Sequence, residues 1–250
     1  MRETNERAAA AEGASDEAVG AACADRAQAA ESGRDSAEPA SAAIDVILAS
    51  GSPRRRALLE REGVPFTART SQADETLEPD LRRMPEEAAK KLAERKARAV
   101  VEDVLNEGYA GTAMVIGADT MVVADGAIYG KPVDEADAAR ILRELLGRAH
   151  QVVTGVSVWL VGAPAGEQDV SLAFRSFAET SHVLFKDLDD ALIDRYIATG
   201  EPLDKAGAYG VQGIGGRLLV ERVTGDFDNV VGLPVTRLMR EFAEFFEAAR

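Results

Sequence analysis

The segment Ser50 to Arg56 reads Ser-Gly-Ser-Pro-Arg-Arg-Arg and carries residue types that bind anions. The apolar run Ile44 to Ala49 precedes it and predicts a buried strand, and a helical pattern follows it and ends at Gly63. Ser52 suits a helix N-cap and Pro53 the first helical position, which places the arginines in the first turn. Because a helix N-terminus already carries partial positive charge, a bound phosphate would remove the mismatch. Arginines that simply point into water are the alternative.

Asp119 is an acidic residue inside an otherwise apolar pattern. Residues 113–118 predict a buried strand, Asp119 and Thr120 interrupt it, and residues 121–123 resume it. A carboxylate in such a place is costly unless it is paired or binds a metal. The sequence therefore predicts a functional role for Asp119.

Other candidate residues are weaker when taken alone. Glu75 lies in the polar loop 71–76, and Lys96 lies on a long predicted helix, and both are typical of solvated surfaces. Lys131 precedes a proline at a strand end, where loops often carry sites. His150 and His182 lie in strand-like runs, and we interpret both as structural or exposed, with no ligand role.

Taken together, these residues indicate metal-assisted phosphate chemistry. Arginines and lysines would hold a polyphosphate, while carboxylates would hold a divalent cation and position water. The glycine-rich segment 205–213 could let the backbone approach a ligand closely, but it lacks the strand and helix context of a dinucleotide fingerprint. The sequence contains neither a P-loop nor an apparent arrangement for acyl transfer.

The order of predicted elements indicates an α/β fold with a mixed β-sheet flanked by helices. Asp125-Gly126 is a hairpin signal, and the runs 150–161 and 171–185 could form a long antiparallel pair across a loop at 162–168. Strands are predicted at 44–49, 65–70, 113–123, 127–129, 150–161, 171–185 and 217–223, and helices at 53–62, 85–107, 135–146, 188–199 and 232–248.

Composition separates residues 1–43 from the domain at 44–250. The first segment has almost no large apolar residues, so we predict a disordered tail that is neither a signal peptide nor a mitochondrial presequence. The only cysteine is Cys23, which excludes an intrachain disulfide and suits the cytoplasm. The net charge of −14 argues against nucleic acid and membranes as partners, but a small polyanion could still bind in a local basic pocket.

Five ordered motifs resemble those of the Maf family of nucleoside triphosphate pyrophosphatases. The resemblance extends from Ile44 through the segment 229–234 to the last helix, and it leaves out the first 43 residues. The motifs are Leu48 to Arg55, Gly117 to Thr120, Gly130 to Pro132, His150 to Val156 and Ala208 to Gly213.

This resemblance implies an elongated α/β fold related to inosine triphosphatases, with a central cleft, and usually a homodimer. It implies attack of water at the α-phosphate with Mg²⁺ or Mn²⁺ present, giving a nucleoside monophosphate and pyrophosphate. Glu75 and Asp119 would hold the metal, with Asp119 favoured as the base. The catalytic residues implied are Glu75, Lys96, Asp119 and Lys131, and the substrate-binding residues are Ser50, Ser52, Arg54, Arg55, Thr120 and Gln212.

The substrate base is predicted from two of these motifs. Ala118-Asp119-Thr120 and Tyr209 to Gln212 resemble the branch that prefers dTTP and UTP, whereas the sister branch associated with 7-methyl-GTP has Ser-Asp-Gln at the first motif. One alternative is the same chemistry on 7-methyl-GTP or CTP. Another is a non-catalytic regulator of cell division that binds nucleotides or a protein partner. The complete set of carboxylates and lysines favours an enzyme.

Overall fold

The computed structural model describes residues 44–163 and 170–250, which contain seven strands and eight helices. The disordered tail predicted at 1–43 and most of the loop predicted at 162–168 lie outside these ranges. The strands are β1 (Ile44–Leu48), β2 (Thr67–Ala68), β3 (Gly111–Ala124), β4 (Ala127–Tyr129), β5 (Ala149–Ala163), β6 (Ser171–Phe185) and β7 (Val220–Thr224). The helices are α1 (Pro53–Arg61), α2 (Pro85–Asn106), α3 (Glu135–Leu145), α4 (Asp190–Ile197), α5 (Ile214–Leu219), α6 (Phe227–Val231), α7 (Val235–Glu241) and α8 (Ala243–Ala248).

All seven strands belong to one mixed sheet, as the sequence predicted. The strand order is β2-β1-β3-β5-β6-β7, with β4 paired to β3 through the predicted hairpin. β1 is parallel to β2 and β3, and the other pairs are antiparallel. In the long β3–β5 pair, Asp119 lies opposite Gly155 and Thr120 lies opposite Thr154.

Helix α2 packs on one face of this sheet at very close range. Its buried side is rich in alanine, and the strand residues beneath it include Gly117 and Gly155. A Cβ atom at Gly117 would lie 2.8 Å from the main-chain nitrogen of Ala97, and one at Gly155 would overlap the main chain of Ala89. The two glycines therefore allow α2 to lie directly over β3 and β5, which brings Lys96 above Asp119.

The other face of the sheet carries two hydrophobic clusters that meet along β3. One contains Ala118 and is covered by α1 and the C-terminal helices α7 and α8. The second contains Val122 and is covered by α3 and α4. Thr120 lies between Ala118 and Val122 on the same strand face, so the site develops at the junction of the two clusters.

Some predicted boundaries were wrong. β3 is not interrupted at Asp119 and Thr120, because both residues remain paired with β5. The strand predicted at 65–70 is reduced to Thr67–Ala68, which pair with the last two residues of β1. The described part of the chain contains no helix that is long and apolar enough to cross a membrane.

The C-terminal region differs most from the prediction. The strand expected at 217–223 is preceded by helix α5, whose first N–H groups bond to the distant carboxylate of Glu201. Helix α6 was not predicted, although Asp226 caps it. The single helix expected at 232–248 is two helices separated at Phe242, and both Phe242 and Phe246 lie in the core.

Candidate active site

One cavity of about 700 Å³ contains every candidate residue that the sequence suggested. It lies beside β3, between the segment after β1 and the glycine-rich segment before α5. The predicted residues that line it are Ser50, Ser52, Arg54, Arg55, Glu75, Lys96, Asp119, Thr120, Lys131 and Gln212. The fold thus brings together residues that are separated by as much as 162 positions.

The segment between β1 and α1 has the capped geometry that its sequence predicted. The Ser52 hydroxyl accepts a hydrogen bond from the Arg55 main-chain N–H at 3.5 Å, and Pro53 is the first helical residue. The Ser50 hydroxyl accepts the Ser52 main-chain N–H at 3.2 Å. Arg56 is exposed, whereas Arg54 and Arg55 line the cavity.

Arg54 and Arg55 are neighbours in sequence with very different environments. Three protein oxygens hold the Arg55 guanidinium: the Gly232 carbonyl at 2.7 Å, the Thr120 hydroxyl at 3.0 Å and the Ser50 hydroxyl at 3.2 Å. Burial lowers the pKa of Arg55, and the nearby Asp119 charge opposes that shift, so the group stays a cation. The Arg54 side chain is 36% exposed. Arg55 is therefore held by three protein contacts, whereas Arg54 is partly exposed and makes an ion pair with Asp204 at 3.6 Å.

Lys96 joins the two predicted metal-binding carboxylates. Its Nζ lies 2.5 Å from Asp119 Oδ1 and 2.9 Å from Glu75 Oε1. The Asp119 and Lys96 side chains are only 12% and 14% exposed, so water screens their attraction weakly. Burial alone raises the pKa of Glu75, but the hydrogen bond and charge of Lys96, with smaller contributions from Lys131, bring it below the ordinary value. Glu75 is therefore ionised at neutral pH.

Cations outnumber acids in the wall of this cavity. Five cationic side chains line it against three carboxylates. The cations are Arg54, Arg55, Lys96, Lys131 and Lys205, and the acids are Glu75, Asp119 and Asp204. On a chain whose net charge is −14, this local excess provides the basic pocket for a small polyanion that the composition left possible.

The half-buried carboxylate of Glu201 holds the glycine-rich wall that carries Gln212. Glu201 accepts the main-chain N–H groups of Ile214 at 2.8 Å and Gly215 at 3.0 Å, and it accepts the Tyr196 hydroxyl at 3.1 Å. Burial raises the pKa of Glu201, and these hydrogen bonds more than reverse that effect, so the carboxylate is charged. The Gln212 side chain is exposed and remains available to a ligand.

Glu75 and Asp119 fit a divalent cation that is shared with a phosphate ligand. Among the residues at 44–163 and 170–250, no group of three His, Cys, Asp or Glu side chains could hold a metal ion. Two carboxylates next to a phosphate site are nevertheless the donors that Mg²⁺ commonly uses, because it keeps several waters and binds substrate phosphates directly. The donor set is thus compatible with the predicted metal once a polyphosphate is bound.

Several polar residues that build the site had no role predicted from the sequence. Asp204 and Lys205 line the cavity, where Lys205 bonds to Asp204 at 2.6 Å and Asp204 lies 3.6 Å from Arg54. Thr154 and Asn229 are fully buried next to it. Lys205 lies in the glycine-rich segment that had been noted, and a polar residue such as Thr154 amid valines is a usable signal.

Comparisons with known proteins agree with the motifs. The family described as Maf-like protein matches residues 45–245. A dTTP/UTP pyrophosphatase of Salinibacter ruber is 47% identical over 208 residues, which cover 82% of this chain and 94% of that protein. Proteins of the same name from Dictyoglomus thermophilum and Bacillus velezensis are 47% and 45% identical, covering 78% and 80% of this chain and 92% and 96% of their own lengths.

Proposed function

This chain belongs to the Maf family, and we propose that it hydrolyses dTTP and UTP to the nucleoside monophosphate and pyrophosphate. The observation that carries the proposal is the Lys96 ammonium between Asp119 and Glu75, inside a cavity with an excess of cations. Three relatives named for dTTP and UTP, each at least 45% identical, support the choice of substrate. An apolar part of the wall, including Leu77, Met121 and Ile128, suits a pyrimidine base.

Binding of the triphosphate follows from the cations and the capped segment. Arg55 and the main-chain N–H of Arg54 in the first turn of α1 hold the phosphates in a fixed position, and the Arg54 guanidinium moves onto them from Asp204. Lys131 adds a further positive charge from the exposed side of the cavity. These charges stabilise the leaving pyrophosphate as negative charge develops on it.

Asp119 is the proposed general base. Its Oδ1 is held by Lys96, and Oδ2 makes no hydrogen bond to any residue in the described ranges, which leaves it free to accept a proton from water. The water oxygen forms a bond to the α-phosphorus while the bond from that phosphorus to its bridging oxygen breaks. The proton moves to Asp119, and pyrophosphate leaves.

Mg²⁺ or Mn²⁺ is the proposed cofactor, held by Glu75 and Asp119 together with the substrate. When bound, the metal would neutralise phosphate charge and polarise the phosphoryl oxygens. Lys96 neutralises only one of the two carboxylates, so a local negative charge remains to attract a divalent cation.

We further propose a homodimer in the cytoplasm that uses neither nucleic acid nor a membrane as partner. The dimer follows from the family resemblance, and sedimentation equilibrium of the whole chain would test it. A single cysteine suits a reducing compartment, and the net charge of −14 opposes binding to other large polyanions.

The deciding experiment measures pyrophosphate release from dTTP, UTP, CTP, GTP and 7-methyl-GTP, with Mg²⁺, with Mn²⁺ and with a chelator. We expect release from dTTP and UTP that requires metal and that falls about 10²–10⁴-fold in Asp119→Asn, because the general base is lost. Asp125→Asn is the matched control, since it makes the same change in the exposed hairpin turn after β3 at a φ of 49° that asparagine tolerates.

The other outcomes separate the alternatives. Turnover of 7-methyl-GTP or CTP alone would support the proposed hydrolysis and contradict the proposed preference for dTTP and UTP. Nucleotide binding without any turnover would favour the non-catalytic regulator. Full activity in Asp119→Asn would exclude the assigned base.

A further inference from the structure

Thr154 is a buried hydroxyl in the middle of an apolar strand. Its neighbours on β5 are Val152, Val153, Gly155 and Val156, and its side chain has no exposed surface. Valine has the same shape and would pack there without a polar group. The hydroxyl is therefore explained by its hydrogen bonds and not by its packing.

Four groups form a continuous hydrogen-bond chain from this strand to the phosphate-binding arginine. The Thr154 hydroxyl donates to the Asn229 carbonyl at 3.0 Å and lies 2.9 Å from the Thr120 hydroxyl. The Thr120 hydroxyl in turn accepts from Arg55 Nη2 at 3.0 Å. Each of these contacts joins residues that are far apart in sequence.

The hydrogen bonds of this network all run in one direction, from Arg55 towards the Asn229 carbonyl. A carbonyl only accepts, so the one hydroxyl proton of Thr154 points at Asn229. Thr154 can then only accept from Thr120, whose lone pairs are left to accept from Arg55. The other available acceptor for Thr120, the Gly232 carbonyl at 3.4 Å, is more distant and already accepts Arg55 Nε at 2.7 Å.

The Asn229 end of this hydrogen-bond network is held firmly by the core. Asn229 is completely buried, and its side-chain amide donates to the Val152 carbonyl and to the Ser181 hydroxyl, both at 3.0 Å. Asp226 caps the main-chain N–H of Asn229. The Asn229 carbonyl is thus a fixed acceptor attached to the core of the sheet.

We propose that Thr154, anchored on the Asn229 carbonyl, positions Arg55 for phosphate binding by holding the Thr120 hydroxyl in its accepting orientation. This inference rests on the proposed function, because it assigns Arg55 to the triphosphate. Without the Thr154 hydroxyl, the Thr120 proton turns towards Gly232 and competes with Arg55 for that carbonyl. Two of the three fixed contacts of the guanidinium, to Thr120 and to Gly232, are then weakened.

The test uses inorganic tripolyphosphate, which has no base, as a competitive inhibitor of dTTP hydrolysis. In Thr154→Val we expect its inhibition constant to rise about tenfold, the size expected when a hydrogen bond to a charged group is weakened. In Thr154→Ser the hydroxyl is kept, so the constant should return to within about twofold of the wild-type value. In an Arg55→Lys background, Thr154→Val should have no further effect, because lysine lacks the directed guanidinium contact.

Ser157→Ala is the matched control. Ser157 lies on the same strand and is equally buried, but its hydroxyl contacts Trp159 and Ser176 and not the cavity. It should lower stability about as much as Thr154→Val and leave the inhibition constant unchanged. An unchanged constant in Thr154→Val, or an equal rise in Ser157→Ala, would overturn the inference.

Two further results keep the test decisive. Thr154→Ala removes the same hydroxyl without placing a methyl group against the Asn229 carbonyl. This variant is used in place of Thr154→Val if Thr154→Val does not fold. If the wild-type chain binds tripolyphosphate but hydrolyses no nucleotide, the proposed function fails, and binding of tripolyphosphate to the same variants still decides the role of Thr154.

Discussion

His150 is a buried titratable residue that takes no part in the proposed chemistry. Its Nε2 lies 2.9 Å from the Tyr209 hydroxyl, and its ring contacts Phe185 and Tyr209 edge to face. Burial lowers the pKa of His150 to about 4, so the ring is neutral at pH 7. Because Tyr209 lines the cavity, this neutral ring supports one wall of the site.

The low pKa of His150 predicts a loss of stability in mild acid. The unfolded chain protonates this histidine near its ordinary value of 6.5, whereas the folded chain does not until about pH 4. The contribution of the neutral His150 ring to the free energy of unfolding is therefore fully present above about pH 6.5, and it is lost as the pH falls towards 4. At pH 5 the loss should be about 2 kcal/mol.

Urea unfolding at pH 8 and pH 5 measures this loss. The stability difference between the wild type and His150→Gln should shrink by that amount at pH 5, because glutamine does not titrate. His182→Gln is the control, since His182 is exposed on β6 and its replacement should give no such change. An equal loss of unfolding free energy between pH 8 and pH 5 in the wild type and in His150→Gln would show that the buried histidine does not cause the loss of stability in acid.

At the scale of the element, the distance between α2 and the sheet determines the geometry of the site. Lys96 reaches Asp119 because the alanine-rich side of α2 lies on Gly117 and Gly155 with no Cβ atoms between them. Gly155 is also the residue opposite Asp119 on the neighbouring strand. A change in this spacing would therefore move the ammonium relative to the carboxylate that it holds.

Gly155→Ala is expected to damage both stability and catalysis. The new methyl group would overlap the main chain of Ala89, which cannot move without the rest of α2. Overpacking of this kind should cost about 2–3 kcal/mol. The displacement of Lys96 should reduce kcat at least about tenfold, because small errors in the position of a catalytic group are expensive.

Thermal unfolding and dTTP turnover measure these two effects. Gly162→Ala is the control on the same strand, since the Cβ atom added there meets only the side chain of Ser171, whose hydroxyl can rotate away. A Gly155→Ala variant with normal kcat would mean that α2 can retreat without disturbing the site.

At the scale of the whole molecule, a locally cationic cavity is built into an acidic chain. All of its lining residues lie between Ala49 and Gly232, within the range of the family match. Among the residues that the structure describes, the sheet begins at Ile44 and the wall of the cavity at Ala49. We therefore predict that residues 44–250 form the catalytic unit.

Deletion of residues 1–40 should consequently leave the enzyme intact. We expect kcat/KM for dTTP to stay within about twofold of that of the whole chain, because every described residue at the cavity wall is kept. A chain that begins at Ser50 is the contrasting variant and should not fold, since it lacks β1 from the interior of the sheet. A large loss of activity after the shorter deletion would assign the first segment a direct role.

The sequence by itself determined the local units of this protein. The cap at Ser52, the long helix α2 and the hairpin at Asp125-Gly126 depend on residues that are close in the chain, so local propensity was enough to predict them. The family resemblance also identified ten residues that prove to line one cavity, although their individual roles stay predictions.

Only the tertiary structure decided which contacts each of those residues makes. It holds Arg55 by three contacts and leaves Arg54 partly exposed, places Lys96 between two carboxylates, and forms α5 where a loop and the start of a strand were expected. Each of these results depends on a hydrogen bond, an ion pair or a glycine contact between residues distant in sequence. Local propensity contains no information about such partners, because they become neighbours only when the sheet and helices pack.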